Sequence, residues 1–157
     1  MMTQDRFERY LVSAYEGEIG GHAYFNRLAA CYADPDQSQK LECLARLEKR
    51  TAEWLRPVLA RYGLTPRPDA ETCDRSIERA DADAEKTWQQ LVAHFRDEYP
   101  PYILTFEAME AAGTDEDQPA LRALTRHEVA IVEFAKRELA AIQPSELPVA
   151  SLLTEWR

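Results

Sequence analysis

The sequence contains little of what β-sheets, disulfide frameworks and membrane spans require. It has only 5 glycines among 157 residues, and its three cysteines, Cys31, Cys43 and Cys73, form no Cys-x-x-Cys pair. An odd number of separated cysteines argues against a secreted disulfide framework. No apolar run approaches the roughly 20 residues that a membrane-spanning helix needs. The first residues, Met1 to Arg6, are polar and include no apolar signal core. We therefore expect a protein of the cytoplasm with no membrane association.

Positive charge is also scarce. The formal net charge is −9, and the one local excess of basic residues is the short group Arg46, Lys49 and Arg50. An acidic surface repels phosphate backbones, so nucleic acid is not expected as a partner. No motif for a nucleotide or a flavin is present. The length suits a single domain spanning residues 1–157, of which residues 143–157 form a C-terminal tail.

Apolar residues recur at steps of three and four along most of the chain, which predicts long amphipathic helices. The expected helices cover residues 3–32, 35–62, 84–112 and 119–142. Pro57 is expected to bend the second helix, and Pro100-Pro101 should kink the third. Residues 64–83 form the longest break, with at least one helical turn inside it. Two short hairpins joined by one long crossover predict an all-α, ferritin-like four-helix bundle built from two antiparallel helix pairs.

The C-terminal tail is a candidate association surface. It ends in the apolar residues Leu152, Leu153 and Trp156, which can dock on the bundle or on a second subunit. An exposed apolar edge on a helical bundle favours a symmetric pair, so we expect a homodimer.

Three glutamates interrupt the apolar stripes, each near the middle of its helix. Glu18 lies in the first helix, Glu48 in the second and Glu128 in the fourth. A buried carboxylate costs several kcal/mol of desolvation unless it is paired, protonated or bound to a metal. Hard cations take oxygen ligands and neutralise such charge, so the pattern indicates a carboxylate-lined centre that can hold iron or manganese.

The segments that carry these glutamates resemble the rubrerythrin branch of the ferritin-like superfamily. The first-helix segment is Tyr-Glu-Gly-Glu-Ile-Gly-Gly-His-Ala-Tyr, with Glu18 in the ligand place, and Tyr99-Pro100 is a pair typical of the third helix. Segments that begin at Glu48 and Glu128 fall where the family has Glu-x-x-His. The resemblance implies a bundle with a di-iron or di-manganese centre that reacts with peroxide or dioxygen.

This chain departs from the family at several ligand positions. The two histidines of the Glu-x-x-His segments are replaced by Thr51 and Ile131, and no four-cysteine module for electron supply is present. On the third helix the nearest ligand candidate is His94, with Asp97 or Glu98 beside it. His22, one turn after Glu18, is a further nitrogen donor to consider, whereas His127 points about 100° away from Glu128 around the helix.

Two hypotheses follow from this pattern. In the first, the chain is a ferritin-like bundle of undetermined activity, whose glutamate cluster replaces a complete di-metal site and whose hydroxyl groups and water satisfy the carboxylates. In the second, it is an oxidoreductase with a rearranged di-iron or di-manganese centre, in which Glu18, Glu48 and Glu128 are metal ligands and His94 or His22 is the nitrogen donor.

Overall fold

Seven α-helices and no β-strand make up the fold. The computed structural model describes all residues, 1–157. About 80% of the chain is helical, and the helices are α1 (Gln4–Cys31), α2 (Pro35–Arg61), α3 (Asp69–Asp83), α4 (Trp88–Glu98), α5 (Pro100–Ala112), α6 (Gln118–Leu139) and α7 (Leu147–Glu155). The all-α prediction is confirmed. None of the helices combines the length and apolar character that crossing a membrane requires.

Helices α1 and α2 form the first hairpin. The Thr3 side chain caps α1 by accepting a hydrogen bond from the Arg6 backbone, and Asp34 caps α2 with Pro35 as its first residue. Only three residues connect the two helices, so they run side by side in opposite directions. Both helices begin and end within one or two residues of the predicted limits. Pro57 lies inside α2, near its carboxyl end.

The crossover holds a longer helix than the sequence suggested. The 15-residue helix α3 packs along α1, although its sequence has almost no apolar stripe. Small residues permit the close approach: a Cβ added to Gly20 would lie 2.5 Å from the Ser76 Oγ. The Tyr24 hydroxyl then donates a 2.5 Å hydrogen bond to the Asp83 carboxylate. Polar contacts and close backbone packing therefore hold α3 in place.

The predicted third helix is two helices. Thr87 and Gln90 form a capping box at the start of α4, so the helix begins a few residues later than expected. Helix α4 ends at Glu98, and α5 starts at Pro100. Two consecutive prolines lack the backbone donors that would continue α4, so the chain breaks at Tyr99 where a kink was expected. Tyr102 was expected to point inward, but it is 54% exposed.

Helix α6 pairs with α4 and α5, and α7 docks against α2 and α6. Leu152 and Trp156 of the tail are only 7% and 6% exposed, and Val149 is fully buried. The tail therefore docks on its own bundle, which is one of the two alternatives that the sequence left open. The homodimer that rested on an exposed apolar edge stays a prediction. Ile142, expected to face inward, is 49% exposed just beyond the end of α6.

The buried apolar residues form two clusters along the bundle. One includes Leu11 of α1 and Leu55 of α2; the other includes Phe25 of α1 and Leu44 of α2. Between them, α1, α2 and α6 each contribute buried polar side chains. This polar layer holds the candidate site.

Candidate metal centre

Four buried ionisable side chains from three helices meet in the polar layer. Glu18 of α1 is 3% exposed, Glu48 of α2 is 6%, Glu128 of α6 is 6%, and His127 of α6 is fully buried. We refer to these four residues as the Glu/His cluster. The burial expected for the three glutamates is confirmed. Their role as metal ligands stays a prediction.

The imidazole of His127 lies at the centre of the cluster. Its Nε2 atom is 2.9 Å from the Glu18 Oε2, 3.2 Å from the Glu128 Oε2 and 3.5 Å from the Glu48 Oε2. One ring nitrogen therefore faces three carboxylates. A single N–H can point at only one of three oxygens, so a proton on Nε2 cannot satisfy them all.

The other ring nitrogen of His127 is turned toward its own helix. The Nδ1 atom contacts the backbone carbonyl oxygen of Leu124. A carbonyl only accepts, so Nδ1 is the protonated nitrogen in this contact. In the neutral imidazole, Nε2 then carries a lone pair directed at the carboxylates. A backbone carbonyl that fixes the tautomer in this way is typical of histidines that bind metals.

Several atoms in the cluster have no hydrogen-bond partner. Nε2 of His127, Oε2 of Glu18 and Oε2 of Glu48 are all buried and unpartnered, because their close contacts do not have hydrogen-bond geometry. Orphaned buried polar atoms are rare in folded proteins and each one costs roughly 1–3 kcal/mol. Here they converge on one point. Glu18, His127 and Glu128 each offer one ligand atom, all within 4.8 Å of one another, so this group can hold a metal ion.

The electrostatics of the cluster favour a positive charge at its centre. Burial raises the pKa of Glu48 well above its usual range, and the neighbouring carboxylate of Glu18 raises it further. Burial also raises the pKa of Glu128, against the opposing effect of His127. Burial alone would lower the pKa of His127, but Glu18 and the other two carboxylates outweigh it, and that pKa is raised. Without a metal, the cluster therefore retains protons that free side chains would lose.

Gly21 makes room for the second-helix glutamate. A Cβ at this position would lie 2.7 Å from the Glu48 Cδ and 2.9 Å from its Oε1. The carboxylate of Glu48 therefore rests directly on the backbone of α1. Any side chain at position 21 would have to push it toward the other carboxylates.

The two residues that stand in the histidine places of the family pattern do not reach the cluster as ligands. The hydroxyl of Thr51 donates a 2.8 Å hydrogen bond to the Leu47 carbonyl within its own helix. Ile131 is fully buried in the apolar core. The structure therefore supplies one imidazole to the cluster, that of His127.

A cavity of about 520 Å³ adjoins the cluster and is lined by the three glutamates and several aromatic side chains. Tyr99, at the break between α4 and α5, lies on its wall, and burial raises the pKa of this phenol well above its usual range. His94 is also on the wall, and its ring packs edge-on against Phe95 and Tyr99. The cavity gives small molecules a place to bind beside the cluster.

The structure does not bring His94 into the group of ligand atoms formed by Glu18, His127 and Glu128. Of the two carboxylates considered beside it, Glu98 lines the cavity, whereas Asp97 points to solvent and pairs with Arg96 at 2.7 Å. His22 is engaged elsewhere, since its Nδ1 lies 3.0 Å from the Ala45 carbonyl oxygen.

Sequence reasoning missed His127 as a member of the cluster. Positions 127 and 128 differ by about 100° around a helix, so only one seemed able to face inward. In the structure both are buried, because the direction to the centre falls between them and each side chain reaches it from one side. A fully apolar pattern at positions 123, 124, 130 and 131 was the signal that this face of α6 is wide.

Comparisons of this chain with protein families, with curated proteins and with solved structures find no match. The local geometry of the Glu/His cluster therefore carries the functional argument.

Proposed function

We propose that this chain is a ferritin-like metal-binding protein that holds one iron or manganese ion between Glu18, His127 and Glu128. The observation that carries the proposal is the unpartnered, fully buried Nε2 of His127, which lies 2.9 Å from the equally unpartnered Oε2 of Glu18 and 3.2 Å from the Oε2 of Glu128. A cation at this point would satisfy the Nε2 of His127 and the Oε2 of Glu18 together.

The distances within the cluster suit a coordination sphere. Metal–ligand bonds of about 2.1 Å place neighbouring ligand atoms of an octahedral ion roughly 3 Å apart. The His127 Nε2 lies 2.9 Å from Glu18 and 3.2 Å from Glu128. A ligand set of one nitrogen and two oxygens suits iron or manganese better than it suits the soft metals that prefer thiolate ligands. The buried Cys43 is free and lies outside the group.

The donor count favours one ion. A complete di-metal centre in a ferritin-like bundle uses four carboxylates and two histidines. Here the centre offers three carboxylates and one histidine, and Thr51 and Ile131 provide no replacement. Glu48, at 3.5 Å from the His127 Nε2, is then a neighbouring carboxyl group that can hold a proton or bind an exchangeable water.

A bound iron or manganese ion would supply redox chemistry with peroxide or dioxygen. The side chains of this chain have other roles: Glu18, His127 and Glu128 hold the ion, and the Leu124 carbonyl orients the imidazole. Glu48 is placed to accept or donate a proton at its Oε2, which is buried without a hydrogen-bond partner. The two apolar clusters flank the layer, and the cavity beside it would admit a small substrate.

The ferritin-like assignment is supported by the order and pairing of the helices. A first hairpin, a long crossover and a second helix pair follow each other in the chain, and α2 packs against α6 across the two halves. The carboxylates lie near the middle of α1, α2 and α6. This arrangement is what the resemblance to the rubrerythrin branch leads one to expect.

Metal stoichiometry tests the proposal. Metal-free protein should bind Fe(II) under anaerobic conditions, or Mn(II), with one equivalent per chain, as measured by titration calorimetry and elemental analysis. His127→Gln and Glu128→Gln should each weaken binding at least tenfold, because each removes one of three ligands. His94→Gln is the matched control and should bind as the unaltered protein does.

The possible outcomes separate the hypotheses. Two equivalents per chain, with loss on His94→Gln, would support the rearranged di-metal centre and contradict a single-ion site. Failure of metal-free protein to bind Fe(II), Mn(II) or Zn(II) would contradict metal binding altogether.

A second candidate is a metal-free bundle in which protons neutralise the cluster and the protein acts only by association. The observation that favours it is the raised pKa of His127 and of Glu48, because an imidazolium and one protonated carboxyl group would remove most of the repulsion. Two results together would establish this state. The protein would bind none of the three metals, and nitrogen NMR would show that both ring nitrogens of His127 are protonated at neutral pH.

A further inference from the structure

A second cavity, separate from the one beside the Glu/His cluster, lies where α2, α6 and the end of α7 meet. Its volume is about 450 Å³. We call it the arginine pocket, after four lining residues: Arg50 of α2, Arg122 and Arg126 of α6, and Arg157 beyond α7. It shares no lining residue with the cavity beside the cluster.

The charge of this pocket is opposite to that of the chain. The only acidic side chain on its lining is that of Glu155, in a molecule whose formal net charge is −9. Glu155 pairs with Arg126 at 2.6 Å, and Arg50 pairs with Glu53 at 3.0 Å. Arg122 and Arg157 form no salt bridge. Arg50 also donates a 2.5 Å hydrogen bond from its Nη2 to the Trp156 carbonyl oxygen. The pocket therefore keeps two guanidinium groups, those of Arg122 and Arg157, outside any salt bridge.

A buried donor adds a second, uncharged feature. The indole Nε1–H of Trp54 is buried and has no hydrogen-bond partner, although Trp54 lines the pocket. Its ring packs edge-on against Trp156, with the centroids 6.1 Å apart. Indole nitrogens that are buried usually find an acceptor. The indole rings of Trp54 and Trp156 both line the pocket, so their signals can report on a molecule bound there.

We propose that the arginine pocket binds the phosphate group of a small molecule. Guanidinium groups present planar pairs of donors that match the oxygens of a phosphate. Arginines that come from α2, α6 and the end of α7 approach the pocket from separate elements, which suits the several oxygens of a tetrahedral anion better than the single plane of a carboxylate.

The three tryptophans of the chain make a direct test possible. Trp54, Trp88 and Trp156 give three indole signals in a proton–nitrogen spectrum of the labelled full-length protein. Sodium phosphate should move the Trp54 signal in a saturable way. The Trp88 signal should stay in place, because its Nε1 donates a 3.2 Å hydrogen bond to Glu138 away from the pocket. Sodium chloride at matched ionic strength is the reference.

Two variants with the same change of charge sharpen the result. Arg122→Gln, at an exposed position on α6, should weaken phosphate binding about tenfold or more, since it removes a charged donor pair. Arg75→Gln, on the exposed face of α3, should leave the affinity within twofold. The affinity for glycerol phosphate then distinguishes two kinds of ligand. If glycerol phosphate binds more tightly than free phosphate, the natural ligand is a phosphate monoester. If the two affinities are equal, the ligand is the free ion.

The absence of a saturable Trp54 shift would overturn the proposal, as would an equal shift with chloride or unchanged binding by Arg122→Gln. None of these results depends on metal binding at the Glu/His cluster, so the two proposals succeed or fail separately.

Discussion

Replacing Gly21 by alanine tests the packing of the Glu/His cluster directly. A mid-helix glycine usually destabilises its helix by roughly 0.5–1 kcal/mol relative to alanine, so Gly→Ala at such a position normally stabilises. At Gly21, however, the new Cβ would lie 2.7 Å from the Glu48 Cδ and 3.0 Å from its Oε2. The carboxylate must move, and Glu18 and His127 limit its movement on the side of the cluster, whereas the cavity adjoins it on another side.

The expected magnitude follows from these two opposing effects. Overpacking a well-packed interior costs about 1–3 kcal/mol. The adjoining cavity places the cost toward the lower end of that range, where it still equals or exceeds the gain in helix propensity. Gly21→Ala should therefore lower the free energy of unfolding by about 0–2 kcal/mol. Gly17→Ala, one turn earlier on α1, meets nothing within 4 Å, and it should raise stability by about 0.5–1 kcal/mol.

The assay compares the melting temperatures of the two variants by circular dichroism, with the metal-free protein in both cases. A difference of about 2 kcal/mol corresponds to roughly 4–8 °C for a domain of this size. If Gly21→Ala stabilises the protein as much as Gly17→Ala does, then Glu48 does not rest against α1, and the geometry of the cluster is wrong.

Two further predictions concern buried carboxylates. Burial raises the pKa of Glu48 above its value in the unfolded chain; the folded state therefore binds more protons, and stability falls as pH rises above about 4.3. Glu48→Gln should remove this loss of stability. It should raise the melting temperature of the metal-free protein at pH 7 but not near pH 4. Equal shifts of the melting temperature at the two pH values would contradict the prediction. Burial would raise the pKa of Asp117, but hydrogen bonds from Arg61, Tyr62 and Thr114 outweigh burial and lower that pKa. The ionised Asp117 therefore stabilises the folded state above about pH 3.9, and this contribution is lost as the pH falls further. Asp117→Asn should cost about 1–3 kcal/mol at pH 7 and little near pH 2 in urea unfolding; a cost independent of pH would show that charge is not the cause.

Regular apolar spacing made most of the fold predictable. Leu11, Leu44, Leu55 and Leu124 are all fully buried, and helices drawn through such positions match α1, α2 and α6 closely. The period of these stripes is set by helix geometry, so the sequence alone reveals it. The same reasoning placed the three glutamates inside, because they occupy positions that the stripe would otherwise give to apolar residues.

Other features depend on contacts between elements that are distant in the sequence. Helix α3 lacks an apolar stripe, and it is held by the fit of Ser76 against Gly20 and by the Tyr24–Asp83 hydrogen bond. The docking of Trp156 likewise depends on a surface formed by α2 and α6. Neither interaction leaves a periodic signal in the local sequence. The membership of His127 was missed for a related reason, since a helical wheel gives directions but not the width of the face that faces the core.

The Glu/His cluster carries an energetic cost because its charged groups are buried. Replacing a buried group of charges by apolar side chains of similar volume often stabilises a protein by about 1–4 kcal/mol. Here the polar layer lies between two apolar clusters that could otherwise join into one core. Protons can neutralise the layer, yet they leave Nε2 of His127 and two carboxylate oxygens without hydrogen-bond geometry. A metal ion requires no donor directed at each oxygen, because coordination bonds converge on one point from several directions. The arrangement of the orphaned atoms, more than their charge, is therefore what makes this centre one that could hold a metal ion.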